Sequence, residues 1–130
     1  MKKLEVQKSI ILKLSRRLKS EKIEHHFDGS TAKVIQGFGV SMSDIDIVFP
    51  YKNISVVRAF FKEKPLSNEC WNEHYGLLHL YYIEENEKVH LLFYKELECS
   101  FYDHHKQAEL EGEMVWVKGI KHFKSMESEE

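Results

Sequence analysis

The segment Asp44-Ile45-Asp46-Ile47-Val48-Phe49 narrows the folds open to this chain more than any other stretch. It alternates acidic and apolar residues, then becomes wholly apolar, and Pro50 stops it, which predicts a β-strand. On a strand, alternate side chains face alternate sides, so Ile45 and Ile47 are expected to enter a core while Asp44 and Asp46 are displayed together. Their α-carbons would be about 6.6 Å apart, close enough for both carboxylates to converge on hard cations. Paired ions held roughly 3.5–4 Å apart can clamp the attacking and leaving oxygens of a phosphoryl transfer.

The residues just upstream suit the same chemistry. Ile23 to Phe27 reads as an extended segment running into Asp28-Gly29-Ser30. A short helix from Thr31 to Gln36 is expected to follow, closed by Gly37 and Gly39. Gly29 permits a tight turn and a close approach by phosphate. Ser30 offers a hydroxyl, and the helix start offers unpaired N–H groups. Each piece alone is weak, since Asp-x-Asp pairs are commonly solvated and serine is an ordinary helix cap. Strand, Gly-Ser, helix, loop and acidic strand, in that order within about 20 residues, is what carries the inference.

The rest of the chain supplies a frame. Leu4, Ile10, Ile11, Leu14 and Leu18 define an amphipathic helix over residues 2–20, interrupted in its apolar series only by Gln7. Its other face is basic, with Lys2, Lys3, Lys8, Lys13, Arg16, Arg17 and Lys19, and reads as a solvated surface, with a contact surface for a nucleic acid or a partner protein as the alternative. Asn53 can cap a helix over 54–62. Tyr75 to Ile83 and Val89 to Tyr94 read as a hairpin around the polar turn 84–88. Val115 to Val117 suggests a further strand, Gly119 to Met126 a short helix, and 127–130 a frayed acidic end. With 42% hydrophobic and 12% aromatic residues in 130, the chain is expected to form one domain, 1–130, with a core needing no staples. The expected class is α+β, a mixed sheet with helices packed mainly on one side.

Several function classes lose support. A net charge of −2, from 19 basic and 21 acidic residues, provides no basic field for non-specific nucleic-acid binding. No apolar run approaches the roughly 20 residues of a membrane span. Cys70 and Cys99 belong to no metal or redox pattern and read as reduced thiols, giving a cytoplasmic expectation. Of the histidines, His25 and His26 read as partly exposed strand residues, with a supporting role for His26 beside Asp28 as the alternative. Asp103-His104-His105 reads as a surface loop.

Phe27-Asp28-Gly29-Ser30 followed, after 13 intervening residues, by Asp44-Ile45-Asp46-Ile47 resembles the signature of the nucleotidyltransferase superfamily. It is most similar in flavour to small bacterial aminoglycoside and lincosamide nucleotidyltransferases, over about residues 10–95. Asp28 stands where that signature has a hydrophobic residue. The resemblance implies a nucleotidyltransferase-like sheet and transfer of a nucleoside monophosphate from an NTP donor to a hydroxyl acceptor. It implies Mg²⁺ or Mn²⁺ held by Asp44 and Asp46, and Gly29 and Ser30 against the triphosphate. The family carries a third acid within a hydrophobic-acidic-hydrophobic triplet. The matching triplet here is Val89-His90-Leu91, with histidine at its centre. His90 is then either a displaced third ligand or a base. The alternative is a catalytically degenerate module that binds nucleotide or a protein partner, as in toxin–antitoxin pairings. Only 36 residues follow Tyr94, so an acceptor site is expected from those residues, a homodimer or a helical partner.

Overall fold

A computed structural model describes residues 2–95 and 101–119. Helix α1 spans Lys3–Ser20, strand β1 His26–Phe27, helix α2 Gly29–Ile35 and strand β2 Ile45–Pro50. A 3₁₀ turn at Tyr51–Asn53 leads into α3, Ile54–Phe60. Strands β3 (Cys70–Asn72), β4 (Leu77–Glu84), β5 (Glu87–Tyr94), β6 (His105–Leu110) and β7 (Glu113–Lys118) follow. The described strands form one mixed sheet in the order β3-β4-β5-β2-β1-β7-β6. β2 pairs in parallel with β5, and β1 in parallel with β7, while the remaining pairs are antiparallel.

Alternation along the strands produces two unlike faces. Ile45, Ile47 and Phe49 of β2 join Val89, Leu91 and Phe93 of β5 in the main core. Ile10, Ile11, Leu14 and Leu18 of α1, Ala32 and Ile35 of α2, and Val57 of α3 pack into the same cluster. All three described helices therefore cover one face, as expected of this α+β class. On the opposite face Val48, Leu77, Leu92 and Phe101 form a small separate cluster. Asp46 and His90 share that uncovered face by alternation.

Gln7, which breaks the apolar series of α1, is 2% exposed. Its amide donates to the Met42 carbonyl and to Glu87 Oε1, both at 2.8 Å. One polar residue thus ties α1 to the loop before β2 and to the start of β5. The basic face of α1 is less free than its composition suggests. Lys8 pairs with Glu111 at 3.2 Å, Arg16 with Glu113, and Lys19 with the Met114 carbonyl, so part of this face docks on the β6–β7 hairpin.

The β4–β5 and β6–β7 hairpins each turn on two residues with positive φ, Glu85 and Asn86 in the first and Glu111 and Gly112 in the second. Paired left-handed residues match the twist of flanking strands, which explains turns shorter than the polar run 84–88 suggests. β3 and β6 are strands that composition does not announce. The helix expected over 119–126 and the frayed end at 127–130 lie, apart from Gly119, outside the described residues, as does Cys99.

His25 and His26 are buried, at 1% and 2% exposure, rather than partly exposed. His25 Nδ1 donates to the Ile23 carbonyl at 2.8 Å, and its Nε2 has no partner among the described residues. Burial pushes its pKa down to about 4, the bond to Ile23 only partly opposing that. The unfolded chain therefore takes up a proton below about pH 6.5 that the native state refuses until about pH 4. Stability should fall as pH drops through this window, by ~1.4 kcal/mol per pH unit and about 3 kcal/mol in all. Urea unfolding between pH 7 and pH 5 should show this slope, and His25→Gln should flatten it. Equal slopes in both proteins would mean that the native state accommodates the charged ring.

Candidate metal and nucleotide site

The site forms where α2, β2 and β5 meet. Asp28 is the N-cap of α2, its carboxylate accepting from the Gly29 N–H at 2.7 Å. Its own N–H donates to the Asp46 carbonyl at 3.1 Å, which continues the β1–β2 ladder one step past Phe27↔Ile47. The polar residue standing at the hydrophobic signature position is thus used locally, as a cap.

Thr31 is the residue that composition gave no reason to single out. It is fully buried. Its hydroxyl donates to the Asp44 carbonyl and accepts from the Asp46 N–H, both at 3.0 Å. The first turn of α2 is thereby clamped to the backbone on either side of Ile45. Because these bonds use main-chain atoms, both carboxylates remain available. Asp44 lies one residue ahead of β2, so this clamp, rather than a strand ladder, holds its backbone.

Gly29 has φ +57°. A β-carbon there would sit 2.7 Å from Asp46 Oδ2. Glycine is required twice at this point, for its left-handed backbone and for the space the carboxylate fills. Ser30 is the second residue of α2 and half-buried.

The parallel pairing of β2 with β5 sets Asp46 directly beside His90. His90 Nδ1 lies 3.5 Å from Asp46 Oδ1, and the two side chains are 19% and 24% exposed. One ligand atom each from Asp44, Asp46 and His90 lie within 4.8 Å of one another. Val89 and Leu91 are buried behind. The sequence-predicted residues Gly29, Asp44, Asp46 and His90 are thus brought together.

Two further side chains adjoin this group. His79 on β4 places Nδ1 2.8 Å from His90 Nε2. Its pKa is lowered, by burial first and then by His90 and Lys88. Tyr94, opposite Pro50, has its phenol pKa raised by burial and then by Asp28, Asp46 and Tyr75. The hairpin reading put His79 and Tyr94 on strands, but only pairing brings them here. Arg58, whose place in the sequence would let it meet a phosphate, is instead engaged with Glu69. His26 and His105 meet at 3.1 Å farther along the open face, His105 stacking on Trp116 at 4.3 Å. His105 therefore opens a strand rather than lying in a loop.

The donor set fits a divalent cation. Two carboxylate oxygens and one imidazole nitrogen stand within 4.8 Å of one another on a partly open face, and such oxygen and nitrogen donors are ligands of divalent ions. Among the described residues this is the group of three or more such side chains able to meet at one ion. No described helix is long and apolar enough to cross a membrane.

No family model matches the chain, and no curated protein matches it. Its structure is similar to the crystal structure of a protein from Thermotoga maritima described as a "putative nucleotidyltransferase", with TM-score 0.79 and 20% identity. The match covers 99% of this chain and 86% of the other. The chain therefore has a nucleotidyltransferase-like fold.

Proposed function

We propose that this protein is a nucleotidyltransferase, in which Asp44, Asp46 and His90 hold a divalent cation and Gly29 and Ser30 face the triphosphate of an NTP. The observation that carries the reading is the register Asp46↔His90, which sets an imidazole directly beside the acid-bearing strand. A bound divalent ion would neutralise charge on the phosphates and orient them. The chain's own part is positional. Gly29 keeps the space beside Asp46 clear of a side chain, and the Ser30 hydroxyl can donate to a phosphate oxygen. The Thr31 clamp holds both aspartates while the donor binds. In the reaction an acceptor hydroxyl oxygen forms a bond to the α-phosphorus, the bond to pyrophosphate breaks, and the hydroxyl proton passes to solvent water.

The acceptor is a small-molecule or macromolecular hydroxyl, the former being the kind used by the aminoglycoside and lincosamide enzymes that the signature resembles. The residues after Tyr94, a second copy of the chain or a helical partner would complete the acceptor pocket. An intracellular, cytoplasmic setting accords with the exposed thiol of Cys70. The imidazole at position 90 also supports a second reading, a module that binds nucleotide or a partner without transfer.

The deciding experiment incubates the protein with α-labelled NTPs, Mg²⁺ or Mn²⁺ and a panel of hydroxyl acceptors, alongside calorimetry of a non-hydrolysable NTP. Label transfer with pyrophosphate release is expected for the enzyme. Metal-dependent binding without release would establish the silent module. Absence of metal-dependent binding would overturn both the enzyme and the nucleotide-binding module.

A further inference from the structure

We infer that His79 is a positioning residue that holds His90 with Nδ1 turned to the aspartates, and that the site consequently selects first-row transition ions over Mg²⁺. This rests on the metal-site reading above and deepens it. β4 and β5 pair so that His79 lies opposite Leu92 and His90 opposite Tyr81. The two histidines are therefore diagonal neighbours on the open face, a spacing that long or ring side chains can bridge. They do so at 2.8 Å, with ring centroids 4.9 Å apart and planes at 77°.

Two neutral imidazoles meeting nitrogen to nitrogen share one proton. When His90 Nε2–H donates to His79 Nδ1, the lone pair of His90 Nδ1 is left facing Asp46. Only that tautomer can ligate an ion held with Asp44 and Asp46. An acceptor behind a ligating histidine fixes both its tautomer and its ring plane, and losing such a partner commonly costs 10–100-fold in metal affinity. The asymmetry of the site follows. Mg²⁺ demands oxygen ligands and parts reluctantly with water, so an imidazole nitrogen gains it little. Co²⁺ and Zn²⁺ accept imidazole readily, and Mn²⁺, the lowest of the first-row series, takes a nitrogen ligand with less loss than Mg²⁺ does. An aspartate at position 90 would suit Mg²⁺, whereas a histidine oriented by a second histidine suits the softer ions.

The test is Mn²⁺ binding to the full chain, followed by the resonance signal of free Mn²⁺, with Mg²⁺ as competitor. Mn²⁺ exceeds Mg²⁺ at many carboxylate sites, so the variants decide. His79→Leu should weaken Mn²⁺ binding about 10-fold or more while Mg²⁺ binding changes less than about 3-fold. His79→Asn, whose Oδ1 can accept from His90 Nε2–H, should recover most of the loss. His90→Asp should lower the Mn²⁺/Mg²⁺ affinity ratio several-fold. Wild-type Co²⁺ should show visible absorption bands that shift in His79→Leu, which a purely structural role for His79 would leave alone. Unchanged Mn²⁺ affinity in His79→Leu, or an unchanged ratio in His90→Asp, overturns the inference while the metal-site reading stands. Binding of neither ion to wild type overturns that reading, and the inference with it.

Discussion

Asp44→Asn and Asp46→Asn should each reduce metal-dependent nucleotide binding by about 100-fold or more, while the protein stays folded. An amide oxygen is neutral, so each substitution removes one of the two negative charges proposed to hold the cation, and hard cations are held chiefly by charged oxygens. The fold should hardly respond, because Thr31 bonds to the carbonyl of Asp44 and the N–H of Asp46 rather than to their side chains. Both side chains are partly exposed, and substitutions of that kind usually stay within about 0.5 kcal/mol. The measurements are calorimetric titration of a non-hydrolysable NTP with Mg²⁺ or Mn²⁺, and urea midpoints of the same proteins. Undiminished synergy between metal and nucleotide in either variant would show that the carboxylates do not hold the ion.

Gly29→Ala should damage the same site by a steric route. The added β-carbon would stand 2.7 Å from Asp46 Oδ2, well inside van der Waals contact. A carboxylate is the far end of a movable side chain, so it would rotate away rather than unfold the turn. The left-handed backbone at φ +57° adds roughly 1–2 kcal/mol for a residue bearing a β-carbon. Metal-dependent nucleotide binding is expected to fall about 10-fold or more, with a stability loss of ~1–2 kcal/mol. Gly29→Asn separates the two effects. Asparagine tolerates the left-handed region better but carries the same β-carbon, so its stability should recover while binding stays impaired. If binding recovers along with stability, the defect lies in the backbone and the space beside Asp46 has no role.

Much of the frame was legible because its signals are local. The alternation at residues 44–49 identified the acid-bearing strand, and Pro50 is its last residue. The apolar series of α1 could be read across the interruption at Gln7, although the buried bonds of that amide could not. β6 was missed because His105 to Leu110 lacks a strong strand composition. It is a strand because β7 offers it an edge, and α1 reaches across to the same hairpin through Arg16 and Glu113. β3 is short and exposed, and pairing with β4 alone defines it.

The sequence by itself determined which side chains could do this chemistry: a glycine before a helix, two acids separated by one residue at a strand start, and a histidine within an apolar triplet. Periodicity decides the face of a strand, so His90 was expected on the opposite side from Val89 and Leu91, and it is. Only the tertiary structure decided what stands beside that histidine. The register between β2 and β5 sets Asp46 against His90, and that between β4 and β5 brings His79 to its other nitrogen. The Thr31 clamp joins helix to strand across the 15 positions separating it from Asp46. Pairing between strands is chosen by the burial of whole faces, because a slip of one residue would turn every core side chain to solvent. That choice is made jointly by segments far apart in the chain, and no local pattern records it.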